Sequence, residues 1–443
     1  MKSLRSLFLF ALFSMISSTF YAQKIQYARS FNKDGLHVFE PSQVDEKEYE
    51  GLKLQIGAGF RQSYQMLRHE NANPTGNPNQ NLYALGNGFN LAAANLNIQV
   101  QLEDGIQILL ENYMASRHHN EFWVKGGYIQ IDKLPMFDNP EWFTKYVRMK
   151  IGHMEINYGD THFRRSDGGN AMHNPFIENN IMDQFTTEIG GELYIFPAQN
   201  FMFMVGLTNG LIKHDVRDYS TFPIIGTGLV DSVTSKNPSL LLKGVYDKTT
   251  DDLRFRLSAS MYHNASSPRI SIYGGDRTGS GYFGVLENSA WTNSTAQFTS
   301  GRFDPRMNNS LTALMLNPFI KYKGLEFFGT YENAVGKNVN EAPEAHNGKD
   351  RRTTQVSGEL IYRFLKHEDA YVGTRYNTIT SRLQGGSSDV TINRFALAAG
   401  WYPTKNLLLK GEWVNQAYDG FGTNSIFNEG KFNGMVIEAV VGF

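Results

Sequence analysis

Residues 52–61 read LKLQIGAGFR, with Leu52, Leu54, Ile56, Ala58 and Phe60 at alternate positions and Lys53, Gln55, Gly57, Gly59 and Arg61 between them. A repeat of two is the period of an extended strand, whose successive side chains point to opposite faces. The alternation returns at 96–102, where Leu96, Ile98, Val100 and Leu102 flank Asn97, Gln99 and Gln101. It returns again at 255–261, with Phe255, Leu257, Ala259 and Met261 around Arg256, Ser258 and Ser260, and in the closing MVIEAVVGF of 435–443. Each segment carries one apolar and one polar stripe.

The joints between segments decide the architecture. Seven times, two segments meet across a comparatively short turn, at 103–105, 133–144, 197–200, 248–251, 323–324, 365–369 and 403–405; the connections between these hairpins are long and rich in Gly, Asn, Ser and Asp. One further strand opens the series near 52–66 and one closes it near 431–443, giving an expected 16 strands; residues 122–131 are the weakest of them, and losing that strand with a neighbour leaves 14. An even count with short turns on one side and long external loops on the other predicts an all-β transmembrane antiparallel β-barrel, in which no edge faces lipid. A soluble sandwich or propeller has turns of similar length at both ends. Tyr194, Phe196, Tyr246, Tyr322, Phe364, Trp401 and Tyr402 lie beside the short turns and are expected to form the aromatic girdle at one membrane interface. Two places break the pattern. Pro318 in LMLNPFIKYKG predicts a bulge or a late strand start, and the slip in alternation between Ile151 and Met154 predicts a second bulge or a side-chain swap.

Composition narrows the class further. Lys2 and Arg5, the apolar run 7–16 and Ala22 before Gln23 read as a signal peptide over 1–22, so the chain is exported; a polar segment 23–50 and the barrel 51–443 follow. That polar segment either stays in the periplasm or enters the barrel. No cysteine is present, which excludes disulfides, thiolate metal sites and acylation of a cysteine. With 22 Tyr, 31 Phe and 5 Trp, disorder is excluded. The leader removes two of the 42 basic residues and leaves 40 against 43 acidic ones, a balance that argues against a nucleic-acid partner.

The third external connection, 159–184, reads GDTHFRRSDGGNAMHNPFIENNIMDQ. It resembles the constriction loop of general diffusion porins. The strand KIGHMEINYGD leading into RRSDGGNA, NPF and MDQFTTEIGGELY resembles a Bacteroidetes porin-like group of Gram-negative outer-membrane porins, distantly similar to phosphate-selective porins. The resemblance covers 145–196, and beyond that only the barrel layout. It implies a cell outer-membrane location, contact with outer-membrane lipids and small polar solutes, and, by analogy with 16-stranded porins, a homotrimer. The terminal Phe443, preceded by alternating apolar residues, resembles the assembly signal read by the barrel assembly machinery.

Asp160, His162, Arg164, Arg165 and Asp167 near the start of the loop are the expected pore constriction, with Glu178 and Asp183 near its end. Opposed charges at a narrowing create a transverse field that orients polar solutes; alternatively the same residues pin the loop to the wall by ion pairs. Strand parity places Arg148, Lys150, Arg254, Arg256, Glu188 and Glu192 on the pore lining. It also turns Lys53, Arg61, Arg375, Arg394, Lys410, Glu111, Glu326, Glu332, Glu359, Glu412 and Glu438 inward. Neither sign dominates, so phosphate selectivity is not expected. His118, His119, Asn120 and Glu121 lack the spacing of a zinc site, and no serine–histidine pair presents itself, so neither a metal, a cofactor nor an enzymatic activity is expected. The expected function is passive diffusion of small hydrophilic solutes or ions through a water-filled lumen narrowed by the third loop. The alternative is a plugged barrel with a structural, adhesive or secretion-associated role.

Overall fold

A computed structural model describes residues 25–44, 47–90, 92–115, 122–167, 169–210, 237–276, 278–290, 300–339, 341 and 350–443. The expected signal peptide over 1–22 and the run 118–121 lie outside them. The strands are β1 (Lys53–Glu70), β2 (Gly88–Phe89), β3 (Ala93–Glu103), β4 (Ile106–Ala115), β5 (Trp123–Ile131), β6 (Val147–Glu155), β7 (Thr187–Ala198), β8 (Phe201–Thr208) and β9 (Ser239–Thr249). They continue with β10 (Leu253–Asn264), β11 (Ser310–Tyr322), β12 (Leu325–Lys337), β13 (Arg351–Phe364), β14 (Ala370–Arg382), β15 (Asp389–Thr404), β16 (Leu407–Asp419) and β17 (Lys431–Gly442). β2 is a two-residue ribbon; the remaining 16 strands of the 17 close an antiparallel barrel.

Closure is made by β1. Residues Gly59–Glu70 pair with β17, and Lys53–Arg61 pair with β3. The last rungs are Phe443 N–H donating to the Ala58 carbonyl at 3.1 Å and Ala58 N–H donating back at 3.0 Å, with the Phe443 ring exposed outside. Ile56, Phe60, Ile129, Leu193, Phe203, Val205, Leu316, Leu360 and Ile437 form the exposed apolar belt that lipid covers.

The expected bulge at Pro318 is absent. Leu316 pairs with Tyr331 and Phe319 with Phe328 in one unbroken register, which sets Pro318 opposite Gly329. A Cβ on Gly329 would come within 2.8 Å of Pro318 Cγ, so glycine makes room for the ring. The Gly329 carbonyl, deprived of a ladder donor by the proline, accepts from Asn317 Nδ2 at 3.1 Å. Register is also continuous through Ile151–Met154. The slip there is a side-chain swap, with buried Met154 inside and half-buried His153 outside. The register shifts instead at Glu111/Asn112 in β4, and near the turns at Gln101/Glu103, Ile195/Ala198 and Trp401/Thr404. The last of these delays the turn expected at 403–405 until after Thr404. The girdle is corrected too: Tyr246, Tyr322, Phe364 and Trp401 face outward, but Tyr194 and Tyr402 are buried inside, and Phe196 is half-buried against the inward Arg148 guanidinium. Inward aromatics appear because the lumen holds protein against which rings can pack.

Replacing Asn317 by alanine removes the donor to the Gly329 carbonyl and also the acceptor, 2.9 Å away, of the Asp160 N–H. The expected cost is ~2 kcal/mol of unfolding free energy, read by urea titration of the refolded barrel in detergent.

Candidate functional site

The inner face of the wall carries many charged side chains, and three segments lie against it: the described residues of the loop 156–186, those of the loop 265–309, and the N-terminal residues 25–44. All 17 charged residues assigned inward by parity are buried or half-buried inside. Asn157 begins the first loop, its N–H donating to Glu192 at 2.8 Å. A 3-10 turn, Thr161–Arg164, then redirects the chain across the barrel.

Asp160 accepts from Nε and one terminal nitrogen of Arg256, at 2.8 and 2.9 Å, and pairs with Lys243 at 2.8 Å. Glu40, from the N-terminal segment, takes the same two cations at 2.6 and 2.8 Å. Burial alone would raise both carboxyls, but Arg256 and Lys243 outweigh it and hold them below the usual carboxylate range. Arg164 reaches Glu326 at 2.6 Å on β12 and Glu359 at 3.0 Å on β13. Arg165 forms paired bonds to Asp167 and to Asp183, between 2.7 and 3.0 Å. Arg302, from the second loop, completes that group by contacting Asp167, Asp183 and Glu178 at 3.1, 2.8 and 2.6 Å. His162 lies 2.9 Å from Asn157 Oδ1, and burial keeps its imidazole well below its ordinary pKa and therefore neutral.

Beyond these ion pairs, the loop hands its backbone to the wall. The Ile177, Ile181 and Met182 amides donate to Glu412, Asn377 and Gln355 at 2.9, 2.6 and 2.8 Å. Lys410 caps the carbonyls of Ala171, Asn174 and Phe176, while Tyr371 and Tyr402 donate to Pro175 and Met172. The N-terminal segment meets this tip: His173 bonds the Asn32 carbonyl at 2.8 Å, and Arg29 donates to Asn170 Oδ1 and the Phe163 carbonyl. Inward Gly57 provides space for the Phe31 ring, since a Cβ there would come within 2.0 Å of it.

The remaining pore-lining residues are paired as well. Arg148 bonds Asp132 and the carbonyls of Pro41 and Ser42; Arg254 bonds Asp247 and the His37 carbonyl. Lys150 lies over the Tyr128 and Tyr194 rings. Glu188 accepts from Thr208 and Tyr262, and Glu192 also accepts from Tyr194. Arg302, Lys243, Glu40 and Arg29 were not singled out from the sequence. Lys243 was within reach of strand parity; the other three lie in loop or terminal segments, where no periodicity marks an inward position.

An apolar layer accompanies the charges. Ile177, Ile181 and Met182 of the first loop and Ile270, Tyr282 and Phe303 of the second pack with inward Ile379, Ile392, Val414 and Val436. A cavity between the first loop and the wall measures about 20 Å3, room for a water molecule. A cleft of about 400 Å3 opens at the rim beside residues 417–421 and 428–431. No cluster of three metal-ligating side chains occurs among the described residues.

No protein-family model matches this chain, and no curated protein matches it by sequence. Solved structures share its fold. The outer-membrane channel DcaP of Acinetobacter baumannii aligns over 90% of this chain and 99% of its own, with 11% identity and a TM-score of 0.53. The anion-selective porin from Comamonas acidovorans aligns over 88% and 100%, with 9% identity and a TM-score of 0.51. Pseudomonas putida OprB aligns over 89% and 94%, with 10% identity and a TM-score of 0.50. At these identities the likeness is one of fold. The closed 16-strand barrel with its apolar belt is a porin-like barrel of the outer membrane.

Arg302→Met keeps the volume but strands Asp167, Asp183 and Glu178 near a single remaining arginine, and should cost ~3–5 kcal/mol in denaturant unfolding. Arg382→Met, which breaks the exposed 2.6 Å pair with Asp389, should cost under ~1 kcal/mol. Glu40, Asp160 and Asp167 all have folded pKa values below their unfolded ones, the last because Arg165 and Arg302 outweigh its burial. Their contribution is therefore complete above the unfolded carboxylate values and lost as pH falls through the folded ones. Thermal unfolding of the barrel should thus shift steeply to lower temperature below about pH 4.

Proposed function

We propose that this protein is an outer-membrane porin for small hydrophilic solutes or ions whose resting state is closed by its own third external loop, by the loop that carries Arg302 and by its N-terminal segment. The observation that carries the reading is the chemistry of the wall: a ring of inward arginines, lysines and glutamates grips the inserts through ion pairs and through bonds to loop backbone. Buried ion pairs add little over apolar packing of the same volume, so a permanent filler gains nothing from them. Groups that water can take over are suited to a lumen that is sometimes wet. In the open state Arg164, Arg165, Asp160 and Asp167 would border the narrowing, with Arg148, Lys150, Arg254, Arg256, Glu188 and Glu192 lining the path. The leader over 1–22, recognition of Phe443 by the assembly machinery, trimerisation and kinship with the Bacteroidetes porin-like group belong to the same reading.

The apolar layer joining both loops to Ile379, Ile392, Val414 and Val436 favours a second reading, a permanently plugged barrel acting in adhesion or secretion. Planar-bilayer recording separates the two. The full chain should be closed most of the time with discrete openings. Deleting residues 25–44 removes Glu40 and the Arg29 contacts; losing ~3 kcal/mol of closing interaction would raise the open fraction about a hundredfold. In the openings, Arg164→Ala with Arg165→Ala should move the reversal potential toward cation selectivity. A folded deletion variant that stays silent would decide for the plugged barrel.

A further inference from the structure

The cavity of about 20 Å3 beneath the first loop is bounded by two guanidinium groups from different elements, Arg164 of the loop and Arg375 of β14, with Glu359, Asn174, Asn180 and Phe328 around them. Arg164 spends its two terminal nitrogens on Glu326 and Glu359. Arg375 spends one on the Glu178 carbonyl at 2.7 Å and holds the other 3.5 Å from Glu359. In both, the Nε–H has no acceptor among the described residues, although the side chains are only 7% and 2% exposed. A buried donor without an acceptor costs ~1–3 kcal/mol, and more in a charged group. Phe328 and Phe176 cover the flat faces of the two guanidiniums at 4.8 and 4.3 Å, so only the donor edges are left to act.

The surrounding charges do not balance. Glu326 also serves Arg363, whose Nε donates at 2.8 Å while its two terminal nitrogens have no acceptor among the described residues. Two carboxylates thus answer three guanidiniums. The other titratable neighbours do not supply the missing charge: Glu412, which faces Arg375, is shared with Arg394, whose own bonds go to Gln416 and to the carbonyls of Asn179 and Gly301. Asp183, on the cavity wall, is matched by Arg165 and Arg302; Lys321 turns away to Glu368; His37 beside Glu326 is kept neutral by burial. Arg29 ends on carbonyls and an amide, and adds positive potential.

We infer that this cavity is a binding site for one small monovalent anion of halide size, held between the Nε–H groups of Arg164 and Arg375. Glu359 together with the Glu178 carbonyl opposes a second negative charge, which disfavours phosphate and sulfate. The bound anion would join loop to wall and complete the charge count. The site is independent of whether the barrel conducts.

Bromide is the probe, on the full-length barrel in detergent. Anomalous diffraction from bromide-soaked crystals should show a peak within hydrogen-bond distance of both Nε atoms. Replacing gluconate by bromide at constant ionic strength should raise the unfolding temperature along a saturating curve, and Arg375→Gln should shift its midpoint at least about tenfold upward, a loss of ~1.4 kcal/mol. Should that variant not fold, the wild-type diffraction and titration decide alone. Absence of the peak, or a stability that follows ionic strength regardless of the anion, would overturn the site and assign the cavity to water.

Discussion

Everything in this molecule depends on the ladder between β1 and β17. Hydrocarbon offers no partner to a backbone N–H or C=O, so a sheet that crosses a bilayer must end where it began. The 12 paired positions from Gly59–Gly442 to Glu70–Lys431, sealed by the mutual bonds of Ala58 and Phe443, meet that demand. Closure then creates two solvents for one sheet. Outside, alternate residues must be apolar; inside, a volume is enclosed that either water or protein has to occupy.

Here protein occupies it, and the manner of occupation is electrostatic at the bottom and apolar nearer the mouth. Glu40, Asp160, Lys243 and Arg256 form a cage in which every charge touches an opposite one, and Arg165 and Arg302 do the same for Asp167, Asp183 and Glu178. Such pairs impose geometry more than they add stability: breaking one is costly, while the intact pair is close to neutral against apolar alternatives. That combination holds the inserts in one arrangement and still allows water to replace them. The wall is shaped to the same end, with glycines at Gly57 and Gly442 lying against Phe31 and Gly59 against Gly169.

Much of this was readable from residues alone, and the limits are physical. Alternation revealed the strands because one face meets lipid; the 17 charges assigned inward by parity do lie inside, while inward Lys243 and Arg363 were passed over. Pro318 misled because its compensation depends on strand pairing: Asn317 is adjacent to it, but Gly329, 12 positions from Asn317, meets the ring and accepts from the Asn317 side chain only once the register is set. Tyr194 and Tyr402 misled because an aromatic beside a turn reads the same whether it faces lipid or a filled lumen. Inward Ile379, Ile392, Val414 and Val436 were missed for a related reason: near the outer mouth polar Thr378 and Thr380 face outward, so the stripes exchange roles. The loop charges were found, but their partners were not. Arg302 meets Asp167 across 135 positions and Arg164 meets Glu359 across 195, distances over which no spacing rule operates.

The claim that the lumen is filled is tested most directly by native-state hydrogen exchange at the amides of Ile177, Ile181 and Met182, each bonded to a wall side chain. Packed inserts predict protection of the same order as ladder amides in β14 and β16. Exchange at the rate of the exposed connection at 383–388 would mean that the loop does not lie against the wall, and the closed lumen would have to be abandoned.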